Sequence, residues 1–217
     1  MISLQKTIRQ TLTVLLTFGA VELAALCKMS YLVGSWASFF SATAIAVPLV
    51  GILGGTGFSS GLTGLRALVR WLVLGSNPTS FLVYHIPGIV AAFYWRSSLR
   101  MVKVGIPAVC MALFIAHSPA AWLYTLYWLI PIGIYCFNRE SVFEKSLAAS
   151  FVAHAVGSVI WLYTIPMTIE LWDLLIPVVV IERLAFASGI ALAYYGAYAV
   201  AIRYHAYWKK IDPSLTV

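Results

Sequence analysis

The sequence predicts an all-α integral membrane protein, a bundle of transmembrane helices in a single domain over residues 1–217. Its 217 residues are 62% hydrophobic and only 10% charged, and the mean hydropathy is +0.92. A soluble domain needs more charge on its surface, whereas lipid covers an apolar surface without it. Because one crossing takes about 20 apolar residues, the chain has room for roughly six to eight crossings and no separate soluble domain.

Eight apolar runs follow one another along the chain, separated by charged or turn-forming residues. Two of them, 62–74 and 104–117, would reach roughly 20 Å as helices, which is short of the roughly 30 Å hydrocarbon core. We therefore expect six full crossings, with one short pair forming a re-entrant hairpin, and eight crossings as the alternative. The runs are 11–27, 36–53, 62–74, 81–95, 104–117, 120–137, 147–163 and 174–200.

A glycine-rich stretch at residues 51–61 interrupts the apolar pattern. It contains five glycines together with threonine and serine residues. Such backbone is tolerated at membrane depth only where it is buried in protein or lines a cavity. The stretch therefore predicts a non-uniform interior.

Positive charge alternates from loop to loop. Lys6 and Arg9, together with the segments 96–103, 139–145 and 203–210, fall on one side if every run crosses, and the alternate loops are poor in lysine and arginine. Cytoplasmic loops carry an excess of these residues. We therefore expect both termini in the cytoplasm, and we attribute the formal net charge of +7 to these loops and not to nucleic-acid binding.

Ionisable side chains inside apolar runs are costly, so each is a candidate site residue. Glu22 lies in the first run, and Glu182 and Arg183 adjoin in the last. The planar guanidinium of Arg183 can donate two parallel hydrogen bonds, which suits a ligand carboxylate or phosphate. Glu182 could accept a hydrogen bond from a ligand amine or ring nitrogen. Helical neighbours point about 100° apart, so these two residues need not pair with each other. The alternative is that both pair with other helices and stabilise the bundle.

Two histidines accompany aromatic residues in the apolar runs. His154, Gly157 and Trp161 share one face of a helix, on which His154 and Trp161 would flank the gap left by Gly157. This face offers a planar heterocycle a stacking surface and a hydrogen-bonding group. His85 precedes Pro87, where a kinked helix would present the imidazole to a ligand. The alternative for each is ordinary packing or anchoring at the membrane interface.

Small residues recur at four-residue steps in the last run, at Ala185, Gly189, Ala193 and Ala197. On a helix they form one ridge, along which a second helix can approach closely. The ridge either packs inside the bundle or docks a partner membrane subunit.

Motifs of known catalytic chemistry are missing from the sequence. It lacks a His-Glu-x-x-His motif, a Gly-x-Ser-x-Gly motif and a Walker-type phosphate loop. Cys27, Cys110 and Cys136 do not have the spacing of zinc ligands. We therefore expect no catalytic residue, no metal and no cofactor, and any ATP-driven transport would need partner subunits.

Two stretches resemble the substrate-binding S components of energy-coupling-factor transporters, the micronutrient importers of prokaryotes. The first leads from Pro48 and the glycines at 51–55 through Arg66 and Arg70 to the His-Ile-Pro-Gly sequence at 85–88. The second leads from the His-Ala-Val-Gly sequence at 154–157 through Trp172 and 175–177 to Glu182 and Arg183.

The resemblance implies a six-helix protein of the prokaryotic inner membrane that captures a vitamin or its precursor. Such a protein docks through small residues on a transmembrane coupling subunit driven by two ATPase subunits. The expected pocket residues are His85, His154, Trp161, Glu182 and Arg183. Two other classes stay open, an intramembrane enzyme acting on a lipid or apolar substrate and a non-catalytic assembly protein.

Overall fold

The computed structural model describes residues 2–31, 38–164 and 166–211, and it is an all-α helical bundle, as predicted. Helices make up 88% of it. The described residues form eight α-helices, one 3-10 segment and a small hairpin. The helices are α1 (Ile2–Leu26), α2 (Thr43–Gly54), α3 (Thr56–Leu74), α4 (Pro78–Arg96), α5 (Arg100–His117), α6 (Leu129–Cys136), α7 (Val142–Thr164) and α8 (Ile169–Ile211), and the 3-10 segment is Pro119–Trp128.

The hairpin between α1 and α2 was not predicted. Strands β1 (Lys28–Tyr31) and β2 (Ser38–Ser41) pair antiparallel, with Lys28 opposite Ser41. Within the apolar run 36–53, the helix therefore begins only at Thr43. Residues 36 and 37 of this run lie outside the described part of the chain. The two phenylalanines at 39 and 40 suit a strand, which is consistent with the apolar run not continuing as helix there.

The glycine-rich stretch is helical on both sides of one break. Gly55 has φ +94° and ψ 152°, a conformation that only glycine adopts readily, and it separates α2 from α3. Helix α3 thus begins at Thr56, has 19 residues and reaches roughly 28 Å. The helix is longer than the apolar run 62–74, because residues 56–61 continue it. It is not one of the described helices that are long and apolar enough to cross a membrane, and the expectation that this run falls short of a full crossing stays a prediction.

Capping residues set several helix ends. Asn77 Oδ1 accepts hydrogen bonds from the Thr79 and Ser80 amides at 2.9 and 3.3 Å, which starts α4. At the start of α7, Ser141 and Glu144 each accept from the other's backbone amide at 3.2 Å. These local signals explain why the polar segments between apolar runs are turns.

Three described helices are long and apolar enough to cross a membrane: α5, α7 and the Ile169–Tyr204 portion of α8. Helix α5 begins at Arg100, so its 18 residues reach roughly 27 Å, and the run 104–117 is longer than predicted. Helix α8 has 43 residues, roughly 65 Å, which exceeds one bilayer crossing. The count of six or eight crossings and the side of the termini stay predictions.

Close approaches bring α2, α4 and α7 together. A Cβ added at Gly88 of α4 would lie 2.9 Å from Val47 Cγ1 of α2. A Cβ at Gly157 of α7 would lie 3.5 Å from Pro87 Cγ. Because both positions carry hydrogen in place of a side chain, α4 lies close to both neighbours.

An aromatic core adjoins these helices on the other side. Phe114 of α5, Tyr124 and Trp128 of the 3-10 segment, Phe151 of α7 and Trp172 of α8 are all buried and form one cluster. Tyr124 and Trp172 of this cluster line the space described next.

Candidate ligand-binding site

A cavity of about 430 Å³ lies between α2, α4, the 3-10 segment, α7 and α8. Small-molecule sites range over roughly 300–1,000 Å³ and combine apolar walls with a few polar groups. The structure places all five residues that were expected in the pocket on the wall of this one cavity. They are His85, His154, Trp161, Glu182 and Arg183.

Arg183 is the buried cation of the cavity, with 3% of its surface exposed. Its Nη2 donates to Glu182 Oε2 at 3.1 Å, so these neighbours pair with each other, although helical spacing did not require it. The guanidinium carbon lies 4.7 Å from the centroid of Phe186 and 5.0 Å from that of Phe40. Arg183 Nε has no hydrogen-bond partner among the described residues.

His154 belongs to a hydrogen-bond chain with a fixed direction. Trp128 Nε1 can only donate, and it donates to His154 Nδ1 at 3.1 Å. The neutral ring therefore carries its proton on Nε2, which lies 2.7 Å from the Tyr124 hydroxyl oxygen and donates to it. Both ring nitrogens of His154 are thus hydrogen-bonded to protein groups, one to Trp128 and the other to Tyr124, which also lines the cavity.

The two cavity tryptophans differ in burial. Trp161 is partly exposed on the wall. Trp172 is only 2% exposed and packs edge-on against Phe114 and Tyr124, with centroid distances of 4.9 and 4.8 Å. Its Nε1–H has no hydrogen-bond partner among the described residues. The apolar body of Trp172 is thus satisfied by packing, whereas its polar group is not.

His85 joins the cavity to an ionic cluster on α1 and α3. Its Nδ1 donates to the Phe81 carbonyl at 2.8 Å, so its Nε2 accepts from Arg66 Nη1 at 3.2 Å. Arg66 Nε in turn donates to Glu22 Oε1 at 2.7 Å, and Arg70 Nη2 donates to Glu22 Oε2 at 2.6 Å. Glu22 is therefore a member of this cluster and does not line the cavity.

Sequence reasoning missed several wall residues, above all Tyr124 and Trp172. Tyr124 lies in the segment Pro119–Trp128, which contains two tryptophans and two tyrosines. That aromatic density was the available signal, but it is equally typical of an interface belt or a packed core. Trp172, near the start of α8, lies in the second stretch of the resemblance, but it was not among the residues expected in the pocket.

The small-residue ridge of α8 divides into an internal and an external part. At Gly189 an added Cβ would collide with Ile45 of α2, so this position packs inside the chain. Ala185 is exposed, and Ala193 and Ala197 are partly exposed. Docking of a partner on these alanines stays a prediction.

Comparisons with known proteins give no family. No protein-family model matches the chain, and neither a curated protein nor a solved structure matches it significantly. Within the described residues, no three His, Cys, Asp or Glu side chains are grouped as metal ligands would be.

Proposed function

We propose that the protein is a membrane-embedded substrate-binding or permease subunit for a small organic micronutrient, a vitamin or its precursor. The observation that carries the proposal is that five polar and aromatic residues, chosen from three short stretches of the sequence, line one cavity of about 430 Å³. They come from α4 and from the consecutive helices α7 and α8, so that His85 is 69 residues from His154. Ordinary packing would fill such a space, because protein interiors hold few voids larger than a water molecule.

The chemistry of the wall suits capture of an amphipathic molecule. Aromatic faces are supplied by Tyr84, Tyr124, Trp161, Trp172 and Phe186. Such rings provide large apolar contact and prefer offset or edge-on packing against another ring. Arg183 and Glu182 add one charge of each sign and can fix the orientation of a bound molecule.

Uptake would be energised by partner subunits in a prokaryotic inner membrane. The sequence has no phosphate-binding loop of its own. The resemblance to S components supplies the expected partners, a transmembrane coupling subunit and ATPase subunits. The exposed alanines of α8 are one surface available for docking them.

The competing function, an intramembrane enzyme, needs an acid–base group that reaches its substrate. Both ring nitrogens of His154 are engaged by Trp128 and Tyr124, and both of His85 by Arg66 and Phe81. Both histidines are thus held in hydrogen bonds within the protein, and the carboxylate on the cavity wall that an enzyme could use as its acid–base group is Glu182, which pairs with Arg183.

The test is a ligand screen on the purified protein in detergent. A library of vitamins, precursors and related small molecules is tested for shifts in thermal unfolding and for retention in native mass spectrometry. We expect at least one compound to bind the wild-type protein and to lose binding in Ala153→Phe, which fills the cavity. The control Ala108→Phe adds the same ring at an exposed position of α5 and should bind normally.

Two results would contradict this function. One is that no compound binds a correctly folded wild-type protein. The other is that hits bind Ala153→Phe as well as they bind Ala108→Phe, since the cavity is then not their site. Affinity purification of the tagged protein tests the partners separately, because ligand capture does not require them.

A further inference from the structure

The formal charge on the cavity wall sums to zero. Among the described residues that line the cavity, the side chains with a formal charge are the Glu182 carboxylate and the Arg183 guanidinium, which pair at 3.1 Å. The excess positive charge nearby belongs to Arg66 and Arg70, which share Glu22 and do not line the cavity. The wall therefore presents no net charge to a bound molecule.

Both histidines of the wall are neutral in their observed hydrogen bonds. A protonated imidazole has an N–H donor on each nitrogen and cannot accept a hydrogen bond. His154 Nδ1 accepts from Trp128 Nε1 at 3.1 Å, and His85 Nε2 lies 3.2 Å from Arg66 Nη1. Because the tryptophan and arginine side chains can only donate, each histidine keeps one nitrogen without a proton. Neither histidine therefore adds a charge to the wall.

Arg183 is already compensated within the protein. Its guanidinium pairs with Glu182, and the centroids of the Phe40 and Phe186 rings lie 5.0 and 4.7 Å from its central carbon. An aromatic face attracts a cation at such distances. Arg183 Nε lacks a partner among the described residues but is itself buried, so it offers the cavity no accessible donor. The guanidinium therefore does not need an anionic ligand to neutralise it.

Neutral polar groups of the wall are also used inside the protein. Ser150 Oγ donates to the Arg183 carbonyl at 3.4 Å, and Thr164 Oγ1 donates to the Ile160 carbonyl at 2.7 Å. Each hydroxyl oxygen can still accept a hydrogen bond from a ligand. Much of the remaining wall is aliphatic, including Val47, Val83, Leu175, Val179 and Ile190. Such a wall suits an apolar body and neutral hydrogen bonds.

From this balanced charge and these internal pairings, and resting on the proposed function, we infer that the ligand is an uncharged compound with a largely apolar body. A charged group that entered the cavity would lose its hydration and find the counter-charge there already paired. A zwitterion would have to separate Glu182 from Arg183, which breaks a buried pair. An uncharged compound avoids both costs.

The experiment uses matched probes that differ in one ionisable group. Each carboxylic acid in the library of vitamins and precursors is tested beside its primary amide, and each amine beside its N-acetyl derivative, with free amino acids as zwitterions. Affinities for the purified full-length protein are measured by native mass spectrometry and thermal shift at pH 7. We expect the uncharged member of a pair to bind at least about tenfold more tightly than the charged one.

Glu182→Gln tests the cause of this preference. The variant keeps the size of the side chain and leaves Arg183 as an unbalanced cation, so carboxylates should gain at least about tenfold relative to their amides. Arg183→Gln should shift the preference in the opposite direction, toward amines. Glu140→Gln is the matched control, because the Glu140 side chain is 69% exposed and lies outside the cavity wall, and it should leave the ranking unchanged.

Each outcome separates this inference from the proposed function. Uncharged probes that bind more tightly than their charged analogues, and that lose binding in Ala153→Phe, support the inference. A charged or zwitterionic probe that equals or exceeds its uncharged analogue overturns the inference and leaves the proposed function standing, as does an unchanged ranking in a folded Glu182→Gln protein. A screen without any hit contradicts the proposed function and the inference with it. The wild-type ranking decides alone if neither variant folds.

Discussion

Arg66 Nε donates to Glu22 Oε1 at 2.7 Å, and this contact ties α1 to α3 across 44 residues of sequence. Arg66 is 1% exposed and also reaches His85 on the cavity wall. Glu22 additionally binds Arg70, so one carboxylate holds two arginines. The first helix is therefore connected to the cavity through a chain of charged and polar groups.

Replacing Glu22 with glutamine should destabilise the protein. The neutral amide leaves the buried Arg66 guanidinium without its counter-charge. Breaking a fully buried pair costs about 3–5 kcal/mol. Because Glu22 is 28% exposed, we expect a loss of about 2 kcal/mol in the free energy of unfolding, measured by denaturant or thermal unfolding in detergent.

Glu140→Gln is the matched control for Glu22. Glu140 pairs with Lys145 at 3.2 Å on the exposed surface, and such pairs contribute about 0–1 kcal/mol. Equal stability losses in the two variants would mean that the Glu22 cluster does not support the bundle.

The ionic cluster shows what a sequence can and cannot predict here. The four-residue spacing of Arg66 and Arg70 indicates one basic helical face, and the structure has both on α3 facing Glu22. Their partner was not predictable, because Glu22 is 44 residues from Arg66 and the pairing depends on how α1 packs. The spacing of residues within α3 thus predicts which face of the helix is basic, whereas the acidic partner of that face depends on how the helices pack.

The cavity residues divide in a similar way. His85, His154, Glu182 and Arg183 are recognisable because polar side chains are costly in apolar segments. Trp172 belongs to the same wall but has no such signal, since it lies in the charged segment between two apolar runs, where a tryptophan is equally typical of the membrane interface. The unpaired state of its Nε1 is a property of the fold and not of its neighbours in sequence.

Tyr124→Phe should weaken the hydrogen-bond chain at His154. The hydroxyl accepts from His154 Nε2–H at 2.7 Å, and its removal leaves that buried donor unpaired. We expect a loss of about 1–3 kcal/mol in the free energy of unfolding. Tyr163→Phe is the control: Tyr163 is 54% exposed, its hydroxyl donates to the Leu113 carbonyl at 3.1 Å, and its loss should cost about 1 kcal/mol or less. A Tyr124→Phe protein as stable as wild type would show that the hydrogen bonds at His154 make no net contribution to the stability of the protein.

The break between α2 and α3 should depend on glycine at position 55. Alanine is strained at φ +94°, so Gly55→Ala should cost about 1–3 kcal/mol in thermal unfolding. Gly57→Ala is the control, because Gly57 lies within α3 and nothing lies within 4 Å of an added Cβ. That variant should gain about 0.5–1 kcal/mol from helix propensity. Similar behaviour of the two variants would contradict the helical break at Gly55.

The ridge on α8 gives the last prediction, which separates internal packing from partner docking. An alanine at Gly189 would collide with Ile45 Cδ1, the end of a side chain on α2. Gly189→Ala should therefore cost about 1–3 kcal/mol in the isolated protein, in spite of its better helix propensity.

Two further variants test that explanation. Ile45→Val removes the colliding methyl group, so adding it to Gly189→Ala should recover at least about 1 kcal/mol relative to the sum of the single effects. Gly105→Ala, at a helical position with nothing within 4 Å, should stabilise by about 0.5–1 kcal/mol. If the isolated Gly189→Ala protein is instead as stable as the Gly105→Ala protein, then Gly189 does not pack on α2. In that case the small-residue ridge of α8 is available to a partner along its whole length.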